Sequence, residues 1–256
     1  MKQLGVFWWN DKINFGDILS RDLLNAYGFS VSHTRLAQLN SQSVCSIGSI
    51  LNWVPSNFSG VILGSGIMRP VEKTFPQARI WGVRGEMTRQ VIGADKDIVL
   101  GDPGLLAAKL INRNEDKQYV LGLIPHFEHK NATLIQSLIN KYPHDILLID
   151  VEREPSEVLT DISKCSCISS SSLHGIIVAD SLGIPAGWFR LDTIAGGGQF
   201  KYKDYGTAID DELVPLKLSE ETTLSELVVH CRSTPKKVDE VKFELDALFK
   251  RIPFEL

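Results

Sequence analysis

Cysteine is scarce, four in 256 residues. Cys165 and Cys167 stand two apart on one apolar run, so they share a strand face, and no second pair completes a four-sulfur zinc set. Cys45 and Cys231 stand alone, and the four read as packing or partly buried thiols of a reducing compartment, against a metal or redox role. Surplus positive charge is missing too. A net charge of −4 and a pI near 5.9 exclude a chain that lives on nucleic-acid phosphates, although a local basic pocket remains compatible with them. No apolar run approaches the ~18 residues that span a bilayer. The opening Met1–Trp9 lacks the apolar core and cleavage site of a signal peptide and reads as a first strand. The expected location is cytoplasmic, with no nucleic-acid partner and no transmembrane segment. Low-complexity stretches and solenoid periods are absent as well.

What the chain does have is an ordinary soluble composition, 43% hydrophobic, and a length suited to one large or two small domains. Its first half repeats a short apolar strand, a glycine-bearing turn and a helical segment. Leu4–Trp9 leads into Asn14-Phe-Gly-Asp17 and a helix that Gly28 can end. Val44–Ile47, Val61–Leu63, Ile80–Val83 and Ile98–Leu100 each run into glycine: Gly48, Gly64-Ser-Gly66, Gly85 and Gly101-Asp-Pro-Gly104. Polar Asn112–Gln118 is the expected linker. Beyond it come strands at Tyr119–Ile124, Ile146–Asp150 and Cys165–Ser169, helices around Ala132–Lys141 and Ser156–Lys164, and a helix after His174. Such alternation predicts an α/β fold of parallel βαβ units with helices on both sheet faces. Two Rossmann-like domains facing a cleft are expected, residues 1–115 and 116–256, with a charged helical tail from about Leu224 docking on the body.

The candidate chemistry lies at strand ends, where open α/β sheets bind ligands. Ser170-Ser-Ser-Leu-His-Gly175 joins a strand to a helix, setting hydroxyls and His174 beside a helix amino end that favours anions. His174 is either a proton-transfer group or a satisfied structural histidine. Asp17 is a helix cap or a cleft carboxylate, and Asp102 a turn former or a second carboxylate. Gly64 and Ser65 sit in a loop whose glycines would let amides approach an anion, although the GxGxxG spacing is missing. Arg84 offers a bidentate fork at a strand end, and the competing reading is an ion pair. His126 and His129 invite a metal reading, but no H-E-x-x-H helix is present, and a cleft polar contact by His126 fits better. The glycine-rich segment carrying Lys201, Tyr202, Lys203 and Tyr205 is either a mobile lid or a solvated loop.

In this order, Asn14-Phe-Gly-Asp17, Ile47-Gly-Ser49, Gly64-Ser-Gly66, Val83-Arg-Gly85, Gly101-Asp-Pro103 and Ser170–Gly175 with Gly183-Ile-Pro185 resemble the polysaccharide pyruvyl transferase family. Lys201–Tyr205 is similar to a segment of its branch that decorates bacterial exopolysaccharides. The resemblance implies a glycosyltransferase-B-like fold and an enzyme that moves the enolpyruvyl carbons of phosphoenolpyruvate onto two hydroxyls of one sugar. The products would be a cyclic pyruvate ketal and phosphate. It implies phosphoenolpyruvate as donor substrate, no cofactor and no metal. The acceptor would be a saccharide, free or lipid-linked, the latter compatible with peripheral membrane association. His174, Asp17 and Asp102 are then the catalytic candidates. Arg84, Ser171, Ser172, Gly64, Ser65, Lys201 and Lys203 are candidates for the donor anion, and Asn14, His126 and Tyr205 for the acceptor. One departure stands out: the family often has arginine before Leu-His, and this chain has Ser172, so either another cation from Arg84, Lys201 or Lys203 grips the donor or donor binding is changed. Two rival readings share the architecture, a sugar-nucleotide glycosyltransferase and a non-catalytic carbohydrate-binding protein.

Overall fold

The computed structural model describes residues 2–111, 116–191 and 198–255, with side chains of the last helix to 252. Two all-parallel sheets organise it. The first contains β1 (Lys2–Phe7), β2 (Phe29–His33), β3 (Ser43–Cys45), β4 (Val61–Leu63), β5 (Arg79–Val83) and β6 (Val99–Leu100), in the order β2-β1-β3-β4-β5-β6. The second contains β7 (Tyr119–Ile124), β8 (Ile146–Leu148), β9 (Cys165–Ser170), β10 (Ala186–Arg190) and β11 (Pro215–Lys217), in the order β11-β10-β9-β7-β8. The helices are α1 (Phe15–Ala26), α2 (Glu86–Ile92), α3 (Thr133–Lys141), α4 (Pro155–Ser163), α5 (Leu173–Leu182), α6 (Phe200–Ile209), α7 (Leu224–His230) and α8 (Lys237–Glu255). Helices cover both faces, so central strands are buried; β3 and β4 are buried at every residue.

Local chemistry sets several boundaries. Asn14 caps α1 by accepting from the Gly16 amide at 3.0 Å, and Gly28 follows the helix at φ +91°. Thr223 and Glu226 close a capping box on α7. Gly64 turns sharply out of β4 at φ +86°, where a Cβ would lie 2.3 Å from Pro103.

Some expectations need correction. Pro103–Leu110 is a 3₁₀ segment and not an α-helix. The helix of the Ser-Leu-His-Gly motif begins at Leu173, which puts His174 inside its first turn. Strands β2, β10 and β11 were not foreseen. Lys201–Tyr205 is neither a lid nor a loop: it belongs to α6, and Lys201, Tyr202, Asp204 and Tyr205 form a buried helical face. Parts of the expected linker and of the glycine run, residues 112–115 and 192–197, lie outside the described residues.

The two sheets share one core. α5, buried along most of its length, packs on the 3₁₀ segment, and Leu105, Leu106, Ile176 and Ile177 join Leu19 of α1 and Leu245 of α8 in a single cluster. The tail helix, grouped by sequence with the second half, returns to the first. Its Val241 and Leu245 lie against Gly101 and its Leu248 against Gly82. The cysteines are all free thiols, three of them buried. No described helix is long and apolar enough to cross a membrane.

Candidate active site

An open parallel sheet has a switch point where neighbouring strands depart in opposite directions, and ligands sit outside the carboxyl ends there. In the first sheet that point lies between β1 and β3, in the second between β7 and β9. A cleft of about 260 Å³ opens between the two. Trp9, Asn14 and Asp17 enter it after β1, Ser49, Ile50 and Trp53 after β3, His126, Phe127 and Glu128 after β7, and Ser172, Leu173 and His174 after β9. Met68 and Lys201 complete the wall. The topology thus gathers residues from four separate turns.

Lys201 is the cation of this cleft. It is only 8% exposed, and its ammonium has no hydrogen-bond partner among the described residues beyond a position 5.4 Å from the Tyr202 ring centroid. Burial, with the nearby Arg84 charge, lowers its pKa to about 8. Asp17 responds in the opposite sense: burial raises its carboxyl to about 7, a rise opposed by Lys201 and aided by Asp102. Asp102 is fully buried. Its Oδ1 accepts from the Gly104 amide at 2.9 Å, while Oδ2 has no hydrogen bond. Burial raises this carboxyl to about 6, even though Gly104 and Arg84 pull it down.

His174 Nε2 points toward that carboxylate at 3.9 Å, beyond hydrogen-bond length, so two buried polar atoms face each other unpaired. Burial, reinforced by the charges of Lys201 and Arg84, pushes the imidazole down to about 3. Gly16 explains how the ring fits: a Cβ there would lie 2.0 Å from His174 Nδ1. The glycine of Asn-Phe-Gly-Asp is therefore a close-approach residue for the histidine of the other half. His126 is likewise pushed to about 3 by burial and Lys201, and its amide donates to Ser171 Oγ at 2.9 Å.

Several candidates lie elsewhere. Arg84 is fully buried and already committed: Nε donates to Asp204 at 2.9 Å, one terminal nitrogen to Ser49 Oγ at 2.5 Å and the other to the Ile67 carbonyl at 2.7 Å. It sits behind the cleft wall and holds Ser49, so the expected fork has no free side for a ligand. Gly66 lies flat on its guanidinium, which accounts for the second glycine of Gly-Ser-Gly. Ser65 gives its hydroxyl to the Ser46 carbonyl at 2.6 Å, and with Gly64 it is not part of the wall. Tyr205 is buried on Asp180 at 2.8 Å, and Lys203 is exposed on the opposite face of α6. Ser171 lines a smaller neighbouring cavity that shares Lys201. Among the described residues no group of three or more histidine, cysteine or acidic side chains is placed to hold a metal. Sequence reasoning missed Trp9, Ser49, Trp53, Met68 and Glu128. Trp9 follows β1 directly, which is the signal that would have marked it, whereas Trp53 comes only after the 3₁₀ turn Ile50–Asn52 that follows β3.

The family model for polysaccharide pyruvyl transferase matches residues 14–193, a stretch containing all the cleft-lining residues except Trp9 and Lys201. The chain belongs to that family. An uncharacterized protein of Acanthamoeba polyphaga mimivirus is 36% identical over 169 residues, covering 62% of this chain and 57% of its own length. The succinoglycan biosynthesis protein ExoV of Rhizobium meliloti is 24% identical over 232 residues, 88% of this chain and 71% of its own. Within this polysaccharide pyruvyl transferase family member, then, the cleft at the paired switch points is the candidate active site. Of the three cations that could answer for Ser172, only Lys201 borders it.

Proposed function

We propose that the cleft transfers the enolpyruvyl carbons of phosphoenolpyruvate to two hydroxyls of one sugar, forming a cyclic pyruvate ketal. The observation that carries this reading is Lys201, a buried ammonium without a hydrogen-bond partner among the described residues, lining the same cleft as Asp17 and His174. A trianionic donor supplies the missing partner, and charge-assisted contacts are the strong ones. Membership of the family and the likeness to a succinoglycan biosynthesis protein support a polysaccharide acceptor.

In this scheme a carboxylic acid, Asp17, delivers a proton to the enol methylene, which becomes the methyl group. Its raised pKa keeps a protonated fraction near neutrality. The first sugar hydroxyl adds to the cationic carbon and gives its proton to His174. Phosphate leaves with the C–O bonding pair, the second hydroxyl closes the ketal, and its proton departs with phosphate. The counts balance: two hydroxyl protons are released, one matching the new methyl proton and one the phosphate. His174 starts as a neutral imidazole because burial, reinforced by the charges of Lys201 and Arg84, suppresses its charge. An anion on Lys201 cancels part of that field and raises the imidazole's basicity, so the base switches on with donor bound. Asp102, behind His174, orients the ring and stabilises its protonated form.

We further read the paired sheets as a glycosyltransferase-B-like arrangement of two units, residues 1–115 and 116–256, working in the cytoplasm on a free or lipid-linked glycan. The chemistry calls for no cofactor. The test is incubation with phosphoenolpyruvate and a glycan panel, followed by mass spectrometry for an added pyruvate ketal. His174→Ala should abolish phosphate release while leaving the fold intact; near-wild-type release from that variant would remove His174 from its role.

A further inference from the structure

The cleft does not end at its reacting groups. Lys201 is buried and Asp17 and His174 are only partly exposed, whereas Trp53 in the same wall is 40% exposed. Trp53 and Met68 also line a second, open groove of about 520 Å³ whose other walls include Asn52, Arg69, Glu72 and Lys73. The two spaces therefore meet across one indole.

That indole is held in place. It lies 4.9 Å from Trp9, centroid to centroid, at 44°. Its backbone amide donates to the Ile50 carbonyl at 3.0 Å. Asn52 ties the opposite wall to it, accepting from the Met68 amide at 2.5 Å and donating to the Arg69 carbonyl at 3.1 Å. A rigid tryptophan kept exposed beside a reaction cleft implies a ligand, because burying such a ring elsewhere would be favourable.

We propose that Trp53 is the platform for a second sugar unit of the acceptor, the one next to the unit that receives pyruvate. This rests on the reading of the cleft as a saccharide site. A pyranose has one apolar face of C–H bonds and a rim of hydroxyls, and the groove offers the matching surfaces: an indole in its wall, with Arg69, Glu72 and Lys73 as donors and acceptors in the same lining. A polyprenyl chain would want a uniformly apolar lining, which these charges deny. The acceptor chain runs from the cleft floor, over Trp53 and Met68, into the groove. Acceptor length is thereby read by a residue remote from the reacting carbon.

Isothermal titration of the whole protein with β-linked gluco- and galacto-oligosaccharides of one to four units tests this. The second unit should tighten binding about tenfold, the effect of one well-placed aromatic contact. W53A should erase that gain, and W53F should keep most of it. R69A/E72A, at two exposed positions that leave the fold undisturbed, should reduce the gain in part. Absence of any gain beyond one unit in the wild type, or an undiminished gain in a folded W53A, overturns the proposal. Because the titration reads binding without donor, failure of ketal formation from phosphoenolpyruvate would refute the donor assignment alone.

Discussion

Replacing Arg84 by methionine asks whether this arginine supports the fold or holds a ligand. Its guanidinium is 0% exposed and donates to Asp204, Ser49 and the Ile67 carbonyl. Methionine restores much of the stem but leaves the Asp204 carboxylate buried with only the Thr88 amide and hydroxyl for partners. Stranding one half of a buried ion pair costs about 3–5 kcal/mol. The loss is concentrated at the joint between α2 and α6, where Gly85 also packs on Asp204. Because the two sheets share a core, a single unfolding transition is expected, and at ~2–4 °C per kcal/mol the melting temperature should fall by roughly 6–20 °C. Arg84→Met/Asp204→Asn removes the stranded charge as well and should recover about half of the loss. Guanidinium denaturation followed by circular dichroism measures both variants, with phosphoenolpyruvate titrations alongside. A variant R84M within about 1 kcal/mol of wild type that binds donor more than about tenfold weaker would refute the reasoning and restore Arg84 as a ligand residue.

Lys201→Met should weaken phosphoenolpyruvate binding by about 10- to 150-fold, the worth of a charge-assisted contact, without unfolding the protein. Donor binding to the wild type near pH 8 should take up protons, because an anion drives the half-titrated Lys201 to its charged form; calorimetry in buffers of different ionisation enthalpy reads this, and no uptake would contradict Lys201 as the anion site. Gly16→Ala places a methyl 2.0 Å from His174 Nδ1, so kcat should fall at least about tenfold with KM for donor little changed; an active G16A would mean the ring's position is immaterial. Asp17→Asn should inactivate the enzyme yet stabilise it. The folded carboxyl titrates near 7 and the unfolded one near its ordinary 3.8, so ionisation penalises the folded state fully above pH 7 and not at all below about 4. The gain should be about 1 kcal/mol or more at pH 8 and vanish on acidification, and a pH-independent difference in denaturation midpoint would exclude this carboxyl as the cause.

Much of the site was legible because each motif is a turn at the carboxyl end of a strand, and a parallel sheet brings such turns to one edge. Asn14, Asp17, His126, Ser172 and His174 meet in one cleft for that reason, joined by Lys201 from α6, though nothing in their spacing told which strands would be neighbours. Arg84 misled because its partner, Asp204, lies 120 residues away, and no local pattern announces a long-range ion pair. Lys201–Tyr205 looked like a loop because glycines precede it and lysines punctuate it. The helix is held by burial of its 201, 202, 205, 208 and 209 face, an override of local composition by packing. Strand β10 was hidden by Pro185 and Gly187, residues that usually mark turns. Here Gly187 admits the end of α7, since a Cβ would lie 3.0 Å from the His230 ring.

The return of α6 and α8 to the first sheet has a consequence for how the protein comes into being. Strands β1 to β6 leave the ribosome first, but the side chains that cover Gly82, Gly85 and Gly101 are encoded more than 100 residues downstream, in Asp204, Val241, Leu245 and Leu248. The half made earliest is thus finished latest, and meanwhile it presents an uncovered apolar surface to the cell. Vectorial synthesis cannot complete the fold one sheet at a time, and the nascent first half is the stage at which this chain most needs protection from aggregation.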